Sequence, residues 1–207
     1  MTRTHDLSPG FHGVPNGMLA AVVTHLEMPR PPTDPAPPVA PPGVSLARWM
    51  PDDPEDYRAL FRAVGESWLW FSRLRLGDAD LQAVLSDPGI DLFAVRRQGR
   101  SVGILELDFR SAPVVELAFF GLRPEEAGQG LGRWLMEEAL NRVWDPARAP
   151  RTELLTVHTC TLDSPAALPF YLRSGFKAVR REVEIAPDPR ADGTLGATAA
   201  PQTPLLR

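Results

Sequence analysis

The sequence predicts an α/β fold, of the α+β kind, in which a mixed sheet carries helices on its faces. Strand-like and helix-like stretches alternate through the centre of the chain in the order β-α-α-β-β-β-α-β-α-β. Val114–Leu122 is a nearly continuous apolar run, which is typical of a strand buried on both faces. Gly130–Trp144 places apolar residues four apart along one side, which is typical of a helix packed on a sheet.

The first half of this core predicts a strand, two helices and a hairpin. Val44–Trp49 has a strand pattern, and Asp53–Glu66 follows it with apolar residues at helical spacing after an acidic start. Asp78–Ser86 predicts a second, shorter helix. Ile90–Arg96 and Val102–Phe109 flank a glycine-containing turn and predict a hairpin.

The second half begins with the two central elements named above and continues with three more. Leu154–Thr159 predicts a strand, Pro165–Ser174 a helix and Ala178–Ile185 a final strand. An exposed final strand would also favour a homodimer.

Proline marks the domain organisation. Residues 29–42 contain eight prolines in fourteen positions, which predicts a linker or surface arm. Residues 1–28 form an N-terminal extension in which Met18–Met28 is a candidate extra strand. Residues 43–186 are the predicted domain, and 187–207 are expected to be a flexible C-terminal tail because they lack periodicity.

Composition excludes several classes of protein. The net charge is −4 and no basic stripe is present, so nucleic acid is not expected as a partner. No apolar run approaches the roughly 18 residues of a membrane helix, so no membrane partner is expected. The single cysteine, Cys160, fits the reducing cytoplasm. The four histidines lack ligand spacing, so no metal is predicted.

Three glycines, Gly128, Gly130 and Gly132, follow the central strand and open the helix after it. The first N–H groups of a helix have no intrahelical partner, and its dipole adds partial positive charge there. Such a turn therefore suits a diphosphate, and Arg133 would add a charge-assisted bond.

Two other phosphate loops fit poorly, and one structural alternative stays open. A Walker loop needs a lysine after its second glycine, but Lys177 is the only lysine in the chain. The dinucleotide fingerprint needs glycines at positions one, three and six, whereas here they fall at one, three and five. The alternative is a glycine-rich turn that only lets the strand and helix pack closely.

The sequence AGQGLG at Ala127–Gly132 resembles the acetyl-CoA-binding motif of the GNAT superfamily of N-acetyltransferases. Ala127 departs from the Arg or Gln that is usual there. The resemblance implies a GNAT-like fold with a central, mostly antiparallel sheet, and acetyl-CoA as co-substrate. It implies diphosphate contacts from the backbone of Ala127, Gly128, Gln129, Gly130, Leu131 and Gly132, and main-chain contacts to the pantetheine arm from Phe120 and Leu122.

A second motif lies downstream, in TLDSPAALPFYLRSGF at Thr161–Phe176. It resembles the GNAT pattern in which Asn, Ala, Tyr and Gly-Phe follow one another, with Asp163 in place of Asn. The resemblance implies that Tyr171 is the general acid that protonates the leaving thiolate, and it places Asp163 at the cofactor site.

Further residues are candidates for the acceptor side. Glu116 is a carboxylate inside an apolar strand, where burial without a partner is costly, and it is the candidate general base. The alternative is that Glu116 faces solvent or an arginine. Trp68 and Trp70 follow the first helix and would line the acceptor pocket, unless they are core packing. His158 would line the same side.

The sequence therefore predicts an N-acetyltransferase that transfers an acetyl group to a primary amine of a small molecule or peptide by direct attack. Two alternatives stay open: a non-catalytic acyl-CoA-binding or interaction module, and an acyltransferase that uses a longer acyl chain. A nucleophilic role for Cys160 is a weaker alternative, because a lone cysteine is usually a small apolar filler.

Overall fold

The computed structural model describes residues 8–32 and 38–206, and seven strands of this part form one sheet. Their order is β2-β3-β4-β5-β6-β1-β7, and every neighbouring pair is antiparallel except β5 and β6. The predicted mixed, mostly antiparallel sheet flanked by helices is confirmed. The strands are β1 (Met18–Met28), β2 (Val44–Arg48), β3 (Ile90–Arg97), β4 (Arg100–Asp108), β5 (Val114–Leu122), β6 (Leu154–Cys160) and β7 (Lys177–Pro187).

In this part of the chain, two helices cover each face of the sheet. On one face, α1 (Pro54–Gly65) and α2 (Asp78–Leu85) pack their apolar residues on β3 and β4. On the other face, α3 (Leu131–Val143) and α4 (Ala167–Arg173) pack on β4, β5 and β6. β4 is therefore buried from both sides, as its unbroken burial from residue 102 to 107 shows. Among the described residues, no helix has the length and apolar character to cross a membrane.

β1 corrects the predicted domain boundaries. It is not an appended strand, because it lies inside the sheet and pairs with β7 over residues 18–27 and with β6 over residues 23–28. Alternation explains its place: Leu19, Ala21 and Val23 are buried on one face, whereas Leu26 and Met28 are buried on the other. The domain therefore includes residues 18–28. The proline-rich segment connects β1 to β2 at the far edge, and its residues 33–37 lie outside the described part, as do 1–7 and 207.

The C-terminal segment, residues 188–206, is not the loose end that its composition predicted. Leu195, Ala199 and Ala200 are buried in a small cluster. Arg190 holds the segment together: its guanidinium pairs with Asp188 at 2.7 Å, and both side chains are 2% exposed. Apolar burial and internal pairing therefore replace the regular secondary structure that the sequence lacks.

Candidate active site

A gap between β5 and β6 creates the site. The two strands pair in parallel only where Val114–Glu116 lies beside Leu154–Thr156. β5 then continues to Leu122 and β6 to Cys160, and in the described structure no ladder joins these later parts. The strands therefore separate in the middle of the sheet and leave main-chain groups of β5 unpaired on one side.

A cleft of about 490 Å³ opens at this gap, within the size range of small-molecule sites. Its walls come from β5, β6, α4, the turn before α3 and the connection between α1 and α2. Ten predicted site residues line it: Trp68, Trp70, Phe120, Leu122, Ala127, Gly128, Gly132, His158, Asp163 and Tyr171. The other five do not line it: Glu116, Gln129, Gly130, Leu131 and Arg133.

The turn before α3 presents unused donors at one end of the cleft. The backbone N–H groups of residues 128–132 have no acceptor among the described residues, whereas that of Ala127 donates to the Pro124 carbonyl at 3.2 Å. Gly128 and Gly130 have φ angles of 78° and 82°, in the left-handed region that favours glycine. Five free donors at a helix N-terminus fit a diphosphate.

Side chains brace this turn. Arg97 of β3 donates to Glu126 Oε2 at 2.5 Å and to Gln129 Oε1 at 2.7 Å. Gln129 also donates to the Glu125 carbonyl at 3.0 Å, so its side chain is committed to the protein. Arg133 is exposed and has no ion-pair partner among the described residues, which leaves its charge available at the start of α3.

Alternation on β5 sets the direction of its amides. The N–H of Arg123 donates to the Val102 carbonyl of β4 at 2.8 Å. In a strand, main-chain groups of alternate residues point to opposite sides. The N–H and C=O groups of Leu122 and Phe120 therefore face away from β4 and into the gap, where an extended ligand would pair with them as an added strand does.

Tyr171 lies at the wall of the cleft with a buried ring. The ring is 7% exposed and contacts Phe120, Phe170 and Phe176, with ring centroids 5.8–6.3 Å apart. Its hydroxyl has no hydrogen-bond partner among the described residues. Burial, together with the negative charge of Asp163, raises the pKa of Tyr171 well above its ordinary value. The phenol is therefore fully protonated at neutral pH and is free to donate.

Asp163 joins the two walls of the cleft. Its Oδ2 accepts from Thr159 Oγ1 at 2.6 Å and from the Cys160 N–H at 2.9 Å. Its Oδ1 accepts from the indole N–H of Trp70 at 3.3 Å, across the cleft. Most of its hydrogen-bonding capacity is thus used inside the protein, so Asp163 shapes the site and adds negative charge to it.

Glu116 and His158 form a pair on the face that carries α1 and α2. Glu116 Oε1 is 3.1 Å from His158 Nδ1. The hydrogen bond between them lowers the pKa of Glu116 and raises that of His158. Tyr171 packs with the α3 and α4 side, so the candidate base and the candidate acid flank the gap from opposite faces.

His25 of β1 extends this pair along the sheet, a residue that sequence reasoning left unassigned. Its ring centroid is 6.0 Å from that of His158, and its Nε2 lies 2.8 Å from Glu182 Oε2 of β7. No sequence signal links residues 25, 158 and 182, because only the insertion of β1 between β6 and β7 brings them together.

Cys160 lines the cleft but lacks the features of a nucleophile. Burial, with the negative charge of Asp163, raises the pKa of its thiol to about 11. A reactive cysteine needs the opposite shift, since the thiolate is the nucleophile. The structure therefore gives the nucleophilic alternative no support.

Aromatic residues form the wall opposite α4. The Trp70 ring packs on Phe61 and Phe119, with centroids 5.3 and 5.4 Å away, so Trp70 is both core and cleft wall. Trp68 is half-buried in a short 3₁₀ turn and lines the cleft. For Trp70, core packing and lining of the cleft are therefore not exclusive alternatives, and the acceptor role of both tryptophans stays a prediction.

A buried charged network beneath this wall was missed from the sequence. Glu106 of β4 is fully buried, pairs with Arg73 and accepts a 2.9 Å hydrogen bond from Tyr57. The sequence does contain a sign of this network, because Glu106 interrupts an apolar strand just as Glu116 does. Its partners come from distant segments, and their bonds occupy the carboxylate, so Glu106 is not available as a base.

Comparisons with known proteins agree with this architecture. A family model described as Acetyltransferase (GNAT) family matches residues 48–176. No curated protein sequence matches the chain.

Solved structures show the same fold at low identity. A GCN5-related N-acetyltransferase from Sphaerobacter thermophilus has a TM-score of 0.57 and 19% identity over 84% of this chain and 53% of its own. One from Kribbella flavida has a TM-score of 0.53 and 19% identity over 84% and 60%. A GNAT-family protein from Novosphingobium aromaticivorans has a TM-score of 0.52 and 20% identity over 84% and 69%. The chain thus spans only about half to two thirds of the length of these proteins.

Proposed function

Since the chain belongs to the GNAT acetyltransferase family, we propose that it transfers an acetyl group from acetyl-CoA to a primary amine by direct attack. The observation that carries the proposal is the gap between β5 and β6, with free backbone donors at one end and separate acid and base candidates on its two faces.

The diphosphate of coenzyme A would bind the N–H groups of residues 128–132, with Arg133 adding charge. Ala127 drops out as a donor because its N–H is already used by Pro124. Gln129 contributes its backbone and not its side chain. The pantetheine arm would pair with the inward-facing amides of Phe120 and Leu122, which directs the thioester toward Tyr171.

Bound acetyl-CoA supplies an activated carbonyl for attack by the amine. The pair of Glu116 and His158 takes the protons that the ammonium group must lose, the first before and the second after attack. The new C–N bond forms as the C–S bond breaks, and Tyr171 gives its proton to the departing sulfur. A backbone N–H of Phe120 or Leu122 stabilises the carbonyl oxygen as it gains negative charge. Tyr171 regains its proton from solvent, so of the two protons that the ammonium group loses one is released overall.

Thiol release tests the proposal directly. Purified protein is mixed with acetyl-CoA and a panel of amines, and free thiol is measured against time. Release that requires an amine supports the transferase. Coenzyme binding without release from any amine supports instead the acyl-CoA-binding module. Faster release from a longer acyl-CoA would support the related acyltransferase.

The proposal also covers the cellular compartment of the protein and its oligomeric state. We place the protein in the reducing cytoplasm because Cys160 is its only cysteine. A homodimer through the outer strand β7 is proposed because three apolar residues of this strand, Val179, Val183 and Ile185, are each about half exposed. Light scattering of the purified chain gives the mass that decides this point.

A further inference from the structure

The acceptor end of the cleft carries carboxylates that no cation of the described chain neutralises. Glu184 of β7 lines the cleft, is exposed and has no ion-pair partner among the described residues. Asp163, which is bonded to the Trp70 indole, also lines the cleft and accepts hydrogen bonds only from neutral groups. Both act on His158, so their charge reaches the catalytic pair.

The arginines near this end are already paired. Arg180 is tied to Glu182, Arg73 to Glu106, and Arg75 to Asp192 at 2.8 Å. Arg75 also lies over the Phe71 ring, 4.3 Å from its centroid. Among the described residues, the one arginine that lines the cleft is Arg173 of α4, on the wall opposite the tryptophans. The acceptor end is therefore negative, and this part of the chain offers no free cation there to bind a carboxylate.

The rest of this end is apolar and aromatic. Its lining includes Trp68, Trp70 and Phe71 from the connection between α1 and α2, together with Leu162 and Val23. The C-terminal segment holds this wall in place, because Gln202 donates to the Ser67 carbonyl at 2.7 Å and Leu195 packs in one cluster with Leu69. Aromatic faces also bind cations.

From these features, and resting on the proposed function, we infer that the acceptor is a cationic primary amine on an aromatic or apolar body, without a carboxylate beside the amine. Glu184 attracts the ammonium group to the mouth of the cleft. The tryptophans cover the apolar body. A free amino acid is rejected because its carboxylate would enter a negative site with no partner.

Matched pairs of acceptors test the inference. Tryptamine and tryptophan differ only by a carboxylate, as do phenethylamine and phenylalanine, and cadaverine and lysine. We expect kcat/KM from thiol release to favour the carboxylate-free member of the two aromatic pairs by about tenfold or more. This lies between the about fivefold cost of a like-charge contact at about 4 Å in bulk water and its roughly 1,000-fold cost near a protein surface. Cadaverine, which lacks an apolar end, should be the poorest of the three amines.

Matched variants distinguish the effect of the Glu184 charge from a general effect of substitution on the fold. Glu184→Gln should narrow the preference between tryptamine and tryptophan several-fold by weakening tryptamine. Glu153→Gln, the same change at an exposed residue that does not line the cleft, should leave the preference unaltered. Trp68→Ala should raise KM for tryptamine more than KM for ethylamine.

The outcomes distinguish the two proposals. Amino acids acetylated as well as their decarboxylated partners would overturn the inference and leave the transferase standing. The inference also fails, with the transferase intact, if ethylamine alone is acetylated, or if Glu184→Gln and Glu153→Gln behave alike. Absence of thiol release from every amine, with coenzyme binding intact, would overturn the transferase itself.

Discussion

Replacing Tyr171 by phenylalanine separates catalysis from stability. The variant loses one hydroxyl, which has no hydrogen-bond partner among the described residues, and keeps the ring contacts with Phe120, Phe170 and Phe176. The free energy of unfolding should therefore stay within about 0.5 kcal/mol of wild type. Loss of general-acid assistance should lower kcat by about 10²–10⁴-fold, which corresponds to about 3–5 kcal/mol of activation free energy.

Thiol release at saturating substrates gives kcat, urea unfolding gives stability, and calorimetry gives coenzyme affinity, which should not change. Tyr57→Phe is the matched control, because these are the only two tyrosines in the chain. Its hydroxyl donates to the buried Glu106, so that variant should lose about 1.5–3 kcal/mol of stability and keep its kcat. Wild-type turnover in Tyr171→Phe would remove Tyr171 from the mechanism.

Three further predictions follow from the site and the C-terminal segment. Gly130→Val should weaken coenzyme binding at least about tenfold by calorimetry, because φ near 82° is strained for valine and the N–H groups would turn apart. The acidic limb of kcat/KM should have its midpoint above pH 6.5, because Glu116 raises the pKa of His158 and the base must be unprotonated; Glu116→Gln should move the midpoint to lower pH. Arg190→Met leaves a buried carboxylate unpaired, so residues 188–206 should lose hydrogen-exchange protection and KM for the amine should rise.

Each of these three predictions has a control variant or a result that would contradict it. Gly99→Val makes the same strained change at φ 79° in the β3–β4 turn and should leave coenzyme affinity unchanged. Equal affinity losses in both glycine variants would refute the donor set. The pH midpoint is measured with one acceptor throughout. If it is the same in Glu116→Gln as in the wild type, Glu116 does not influence the base. Unchanged exchange in Arg190→Met would show that apolar burial alone holds the segment.

Local patterns in the sequence were enough to predict most elements of the fold. β5 was predicted to the residue and α3 to within one residue at each end, because a long apolar run and a four-residue step are local signals. The place of β1 was not predictable, because its alternation says that it is a strand and not which strands it joins. The C-terminal segment was misjudged because Arg190 and its carbonyl acceptors replace periodic apolar residues.

In the site, too, local motifs were predictable from the sequence and tertiary contacts were not. The glycine turn and Tyr171 lie in short motifs whose residues are neighbours in the chain. The pairing of Glu116 with His158 across 42 residues, and of Trp70 with Asp163 across 93, depends on tertiary contacts that carry no local pattern. Glu184 is one of two glutamates on the exposed strand β7, and it is the one that lines the cleft.

A crystal structure with bound coenzyme A tests the central claim most directly. We predict diphosphate oxygens about 2.7–3.2 Å from backbone nitrogens of residues 128–132, and the sulfur in the gap near the Tyr171 hydroxyl. A diphosphate bound elsewhere, or a gap filled by the protein's own side chains, would contradict this claim.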